Sequence, residues 1–166
     1  MTPLLHDLLS GVVDVVVGRV GGRALELPLN YRVLYTEPVC FVARPDHPLA
    51  SRSHLSWADL AAWRWIVWPT GTPIRQSIDN ALVDNGVMLP ENTIESASMN
   101  VTSNLLQSSD MISILSLRLA QHYAEHGQLA ILNLPRIEQK GSVGVFWRKS
   151  EVPSLALTRF LHYLAE

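Results

Sequence analysis

A single cysteine, Cys40, stands among 166 residues. Its isolation rules out an internal disulfide and any cysteine-built zinc site, and it leans toward a reducing compartment. Charge is scarce too: 13 Lys+Arg against 15 Asp+Glu leave a formal net charge of −2. No basic field is available to neutralise a run of phosphates or to hold the chain on an anionic membrane, so no direct nucleic-acid contact is expected. The most apolar run, Val12 to Val20, is broken by Asp14, Gly18 and Arg19 and falls short of the ~20 residues a membrane span needs. Met1-Thr2-Pro3 leads into an amphipathic stretch without a charged n-region, a long apolar h-region or a small-residue cleavage site. The expectation is a cytoplasmic protein with no membrane partner.

Catalytic motifs are missing as well: HExxH, GxSxG, SxxK, the Walker A loop and GxGxxG do not occur. The six histidines are dispersed at 6, 47, 54, 122, 126 and 162. His122 and His126 stand four apart on a helical stretch with Glu125 as the one nearby carboxylate, and they read as surface histidines near a helix C-terminus rather than metal ligands. Arg19, Arg75 and Asn100 can orient charge but offer no general base near neutral pH. No metal, no cofactor and no enzymatic reaction are expected.

Cys40 lies in Pro38-Val39-Cys40-Phe41-Val42, where no basic neighbour lowers its pKa, so it reads as a buried, inert thiol. Trp57, Trp63, Trp65 and Trp68 crowd together with Arg64 as the one interleaved cation, which suits packing better than base stacking.

What is present is 48% hydrophobic and 17% charged residues, enough apolar surface for one good core or two small ones. Leu4, Leu5, Leu8 and Leu9 recur at helical spacing ahead of Gly11. The β-branched run Val12–Val17 predicts a strand buried on both faces and hence a parallel sheet. After a loop at Gly21-Gly22-Arg23, Leu29–Leu34 and Pro38–Ala43 read as strands. Helices are predicted over Trp57–Ala62, Pro73–Asn85, Val101–Ser108, Leu117–His126 and Ser154–Ala165. Strands are predicted over Trp65–Trp68, Thr93–Ala97, Met111–Leu115, Leu129–Leu134 and Ser142–Trp147, with Pro135–Lys140 a polar connector. The alternation is that of a doubly wound α/β fold.

Two strand-to-helix junctions stand out. In Trp68-Pro69-Thr70-Gly71-Thr72-Pro73 a strand ends and Thr72 with Pro73 supplies an N-cap and first helical residue. In Ala97-Ser98-Met99-Asn100-Val101 the pattern recurs, with Ser98 or Asn100 as cap. Helix N-termini beyond strand carboxyl ends suit an anion of carboxylate size, although every such turn in the fold needs a cap. Gly18-Arg19, read as the end of the first strand, adds a guanidinium.

Leu8-Leu9-Ser10-Gly11, Val13-Asp14-Val15-Val16-Val17-Gly18, Glu37-Pro38, Arg44-Pro45-Asp46-His47-Pro48-Leu49, Leu55-Ser56-Trp57-Ala58-Asp59-Leu60 and Pro69-Thr70-Gly71-Thr72 follow one another in a characteristic order. Together they resemble the effector-binding region of LysR-type transcriptional regulators, similar in fold to type 2 periplasmic binding proteins. The resemblance implies two α/β subdomains, 1–38 with 143–166 and 39–142, joined by crossing strands that contain Pro38–Ala43 and Ser142–Trp147. It implies an effector held between them by Gly18, Arg19, Pro69, Thr70, Gly71, Thr72, Ser98, Met99, Asn100 and Val101, with Trp147 closing the site.

Ser108 to Ser116 departs from the family's glycine-rich turn and looks more like the subgroup governing aromatic-acid or sugar catabolism genes. The family's winged helix-turn-helix, its linker helix and the first strand-helix-strand of subdomain I have no counterpart, so the first subdomain is expected to be incomplete. The implied function is sensing of a small anionic metabolite, a carboxylate or an aromatic or sugar acid, that modulates DNA binding by an absent N-terminal domain. The alternative is a free-standing solute-binding protein of the same fold. Association into a homo-oligomer is expected.

Overall fold

The structure, a computed structural model, describes residues 2–134, 141–149 and 153–164; the predicted connector Pro135–Lys140 lies outside them. The elements run α1 (Thr2–Ser10), β1 (Val15–Val20), a short 3-10 turn (Gly22–Leu25), β2 (Leu29–Thr36), β3 (Val39–Ala43), α2 (Trp57–Ala61), β4 (Trp65–Val67) and α3 (Pro73–Asp84). They continue with β5 (Ile94–Glu95), α4 (Met99–Gln107), β6 (Ile112–Ser116), α5 (Leu117–Glu125), β7 (Ala130–Ile131), β8 (Ser142–Arg148) and α6 (Leu155–Tyr163). The chain forms two compact units, 1–36 with 141–166 and 37–140.

In the first unit β8 is the middle strand of a three-stranded sheet, order β1-β8-β2, and both of its pairings are antiparallel. This corrects the expectation of a parallel sheet around the valine run. A β-branched run favours a strand in any sheet, whereas burial on both faces requires cover on each. Here β1 is an edge strand in which Val16 is buried and Val17 is 50% exposed. Gly18 and Arg19 sit inside β1, opposite Gly144 and Val143, and not in a turn beyond it.

Leu5 and Leu8 of α1 pack on Val16, Leu29 and Phe146, and burying Leu8 and Phe146 contributes roughly 1.5–3 kcal/mol each. Gly11, at φ +84°, ends α1 in the left-handed conformation that glycine adopts without strain. Arg148 then satisfies α1's last turn: its Nη1 donates to the carbonyls of Leu8 at 2.9 Å and Val13 at 2.7 Å, and its Nη2 pairs with Asp14 at 2.7 Å. A cation there also meets the negative end of the helix dipole. The Arg32 guanidinium donates to the Leu161 carbonyl of α6.

The second unit carries a five-stranded sheet, order β5-β4-β6-β3-β7. β4 is parallel to β5 and β6, while β3 is antiparallel to both β6 and β7, so β3 alone runs against the rest. Strand periodicity separates two cores. Val39, Phe41, Ala43, Trp65, Val67, Ile112 and Ile114 face α2 and α3, where Leu60, Ile74, Ile78, Ala81 and Leu82 cover them. Val42, Ile66 and Leu115 face the opposite layer with Leu106 of α4 and Ala120 of α5. Helices on both faces of a mostly parallel sheet are the doubly wound arrangement that the alternation implied.

The tryptophans serve the core: Trp65 is fully buried, donates its indole N–H to the Leu60 carbonyl at 2.9 Å, and meets Phe41 edge-on at 5.1 Å. β5 and β7 have two residues each, shorter than the predicted segments, because each has a partner on one side only and ladder bonds stop where that partner turns away. No helix of the described residues is long and apolar enough to cross a membrane.

Candidate functional site

Because β4 and β5 are neighbouring parallel strands, with Ile66 opposite Ile94 and Val67 opposite Glu95, the helices that follow them begin at the same edge of the sheet. The loops Pro69–Thr72 and Ser98–Val101 therefore lie at one edge of the sheet.

The first loop is held at several points. The Trp68 indole donates to the Ile114 carbonyl at 3.0 Å, which ties the end of β4 across to β6. Thr72 caps α3: its Oγ1 accepts the Arg75 amide at 3.4 Å and donates to the Pro69 carbonyl at 2.8 Å. Gly71, at φ +82°, makes the turn, and a side chain there would meet open space, so conformation and not crowding requires glycine. Pro73 is the first helical residue, where a missing N–H removes no helix bond.

In the second loop Ser98 is the cap, its Oγ accepting the Val101 amide at 3.4 Å, and α4 starts at Met99, two residues before the predicted start. Ser96 Oγ accepts the Ser98 amide at 3.1 Å and fixes the entry of the chain. Among the described residues, no backbone carbonyl accepts the amides of Gly71, Ile74, Met99 or Asn100. Unpaired amides at the positive ends of two helix dipoles form a site for an acceptor group, a carboxylate above all.

Arg75, a candidate for handling charge, is committed elsewhere. Its guanidinium pairs with Asp79 at 2.8 Å and Glu95 at 2.7 Å, reaches the Trp68 carbonyl at 3.3 Å, and is 12% exposed. Burial opposes its charge, but the bonds to Asp79 and Glu95 outweigh that and hold its pKa above the ordinary arginine value. Glu95 was not foreseen from sequence. Its Oε1 accepts from Arg75 and, at 3.0 Å, from Thr70 Oγ1, and these bonds, Arg75's first, hold its carboxyl below the usual range. The one signal in the sequence was its place at the end of a strand adjacent to the one before Thr70.

Gly18, Arg19 and Trp147 belong to the first unit, each within its sheet: Gly18 opposes Gly144, Arg19 opposes Val143, and Trp147 opposes Val15 and Asn30. Arg19 and Trp147 share a face, but Val143 and Trp147 are four residues apart on β8, which at ~3.3 Å per residue separates them by about 13 Å. Cys40 is half-buried, and burial pushes its thiol up to about 12, in keeping with an unreactive group. His126 Nδ1 lies 2.7 Å from the His122 carbonyl, and no cluster of metal-ligating side chains occurs among the described residues.

Comparison with known proteins identifies the family. The family described as LysR substrate binding domain matches residues 2–166. The chain belongs to that family. Among curated relatives, the HTH-type transcriptional regulator GbpR of Azospirillum brasilense is 29% identical over 147 residues, covering 88% of this chain and 43% of GbpR. Among solved structures, the Synechocystis PCC6803 CcmR regulatory domain in complex with 2-PG superimposes with a TM-score of 0.83 at 23% identity, over 98% of this chain and 76% of that one. The effector binding domain of QuiR in complex with shikimate gives a TM-score of 0.84 at 15% identity, over 99% and 76% of the two chains. This LysR substrate-binding domain spans about half the length of the curated relatives it matches. Those relatives are transcriptional regulators, not enzymes.

Proposed function

We propose that this domain senses a small organic acid, whose carboxylate is held by the N-termini of α3 and α4, and that binding modulates DNA recognition by a helix-turn-helix domain of the same regulator. The observation that carries this reading is the pair of adjacent helix N-termini whose Gly71, Ile74, Met99 and Asn100 amides lack backbone partners among the described residues. Arg75 pairs with Glu95 and, being shared with Asp79, offsets part of the negative charge beside the loop. That regulatory domains of this fold have been solved with 2-PG and with shikimate supports small acids as the ligand class. The family membership favours a regulator over a free-standing solute-binding protein.

Calorimetric titration with a panel of aromatic and sugar acids, alongside their amides, tests the reading. The acid is expected to bind and its amide to bind at least about tenfold more weakly, the usual difference for charge-assisted hydrogen bonds. Asn100→Asp, which sets a carboxylate beside the α4 N-terminus, is expected to weaken the acid and spare the amide. Equal binding of acid and amide overturns the assignment. Arg19 is the first unit's cation that the resemblance assigns to the same ligand. Arg19→Ala should lower acid affinity about 10- to 100-fold if it orients the carboxylate, and a change within about twofold removes it from the site.

We also propose self-association through the first unit, where Val17, Tyr31, Val33, Leu155 and Tyr163 are exposed; apolar surface of this kind favours pairing. Sedimentation at several concentrations is expected to show a concentration-dependent dimer or larger species. A monomer across the micromolar range rejects it.

A further inference from the structure

A cavity of about 500 Å³ opens in the second unit between β3, α5 and the segment that follows β7, with no described lining residue from the α3 and α4 loops. It exists because two strands differ in length. β6 accompanies β3 from Val39 to Val42, but β7 pairs with β3 only at Val42 and Ala43, and one further bond, Leu132 amide to Phe41 carbonyl at 2.9 Å, ends that side of the ladder. Beside Val39 and Cys40 the sheet therefore has a strand on one side and the cavity on the other.

None of the described residues lining the cavity is charged. Its walls are apolar, with Leu117 and Leu134 among them, and its polar groups are the carboxamides of Gln121 and Asn133 and the Cys40 thiol. The Asn133 nitrogen donates to the Ser53 carbonyl, which leaves its oxygen as an acceptor, and Gln121 lies exposed at the mouth. We propose that this cavity is a second ligand site, which takes a small uncharged molecule with a flat apolar body and one carboxamide-sized polar end. A charged ligand would lose its hydration and meet no counter-ion among the described lining residues, whereas an amide can pair with carboxamides and with the open β3 edge. Burial holds the Cys40 thiol protonated, so the described lining stays neutral at physiological pH. Pro38 stands where the chain enters the second unit, so an occupant touches that stretch of chain.

Amide NMR of the isotopically labelled domain, titrated with benzamide and separately with benzoate, tests the site. Benzamide is expected to give saturable shifts at Val39, Cys40, Leu117 and Asn133 in the millimolar range typical of so small a ligand, and to slow iodoacetamide alkylation of Cys40, the chain's sole cysteine. Benzoate is expected to leave these resonances in place. Gln121→Trp, at an exposed helix position, is expected to block the mouth and abolish the benzamide shifts while the rest of the spectrum is retained. Four outcomes overturn the proposal: no benzamide shifts up to about 20 mM, equal shifts with benzoate, shifts confined to Gly71, Ile74, Met99 and Asn100, or full benzamide binding by the folded Trp variant.

Discussion

His47 Nε2 lies 3.2 Å from the Asp110 backbone carbonyl, while its Nδ1 accepts the Leu49 amide at 3.1 Å. Only a neutral ring protonated at Nε2 satisfies both bonds. The ring is 2% exposed and meets Trp63 edge-on at 4.4 Å. Close by, the Arg44 guanidinium pairs with the Asp110 carboxylate at 2.8 Å.

Burial, first of all, lowers the His47 pKa from 6.5, against the opposing effect of the Asp110 hydrogen bond and charge. The unfolded chain therefore binds the proton more readily than the folded one. Stability linked to His47 is fully present above pH 6.5 and is lost as pH falls from 6.5 toward the folded pKa. Urea midpoints measured from pH 8 to about 5 are expected to fall on the acid side, and His47→Gln to flatten that slope while lowering stability at every pH.

Asp59 and Ser56 form a reciprocal cap on α2, with Ser56 donating its amide and hydroxyl to the Asp59 carboxylate at 2.8 and 2.6 Å. These bonds, more than the Arg52 ion pair, hold the Asp59 carboxyl at about 2 against its ordinary 3.8. Their contribution is present above pH 3.8 and is lost as pH falls toward 2. Ser56→Ala, which removes the hydroxyl and keeps the amide, is expected to raise the Asp59 titration midpoint part of the way toward 3.8, read from the side-chain carboxyl carbon by NMR, with a residual depression from the position-56 amide and Arg52.

Arg75 joins the end of β4, β5 and α3 through three acceptors. Arg75→Ala should destabilise the second unit by roughly 1–3 kcal/mol in urea unfolding, because two carboxylates and a carbonyl lose their donor. Lysine is expected to recover little of this, since one ammonium cannot span the fork.

Gly144, in the middle of the first sheet, leaves no room for a side chain: a Cβ there would meet Val20 Cγ2 at 2.6 Å and the Arg32 carbonyl oxygen at 2.7 Å. Gly144→Ala is expected to destabilise by roughly 1–3 kcal/mol. Hydrogen exchange should localise the loss to β1, β2 and β8, with β4 and β6 still protected.

The second unit was the more legible in sequence because its elements alternate locally, and capping residues such as Ser98 and Thr72 announce helix starts within a few positions. The first unit was misread at β1 because Val12–Val17 carries no mark of what lies beside it. Its partner strand is supplied from the far end of the chain, and the Gly18-Arg19 position inside a strand follows from that pairing. At the candidate site the loops could be located from turn chemistry alone. The Glu95–Arg75–Asp79 network could not, since Glu95 meets Arg75 only through the pairing of two strands.

The placement of β8 between β1 and β2 also sets an order of events on the ribosome. Arg32 pairs with Val145, over a hundred positions downstream, and β1 and β2 share no ladder of their own. The second unit is one continuous stretch, 37–140, and can close on itself as it emerges, while the ladders that β1 and β2 make here wait for β8. Late pairing over a long sequence separation is slow, so the nascent first unit is the segment that most needs protection until β8 emerges.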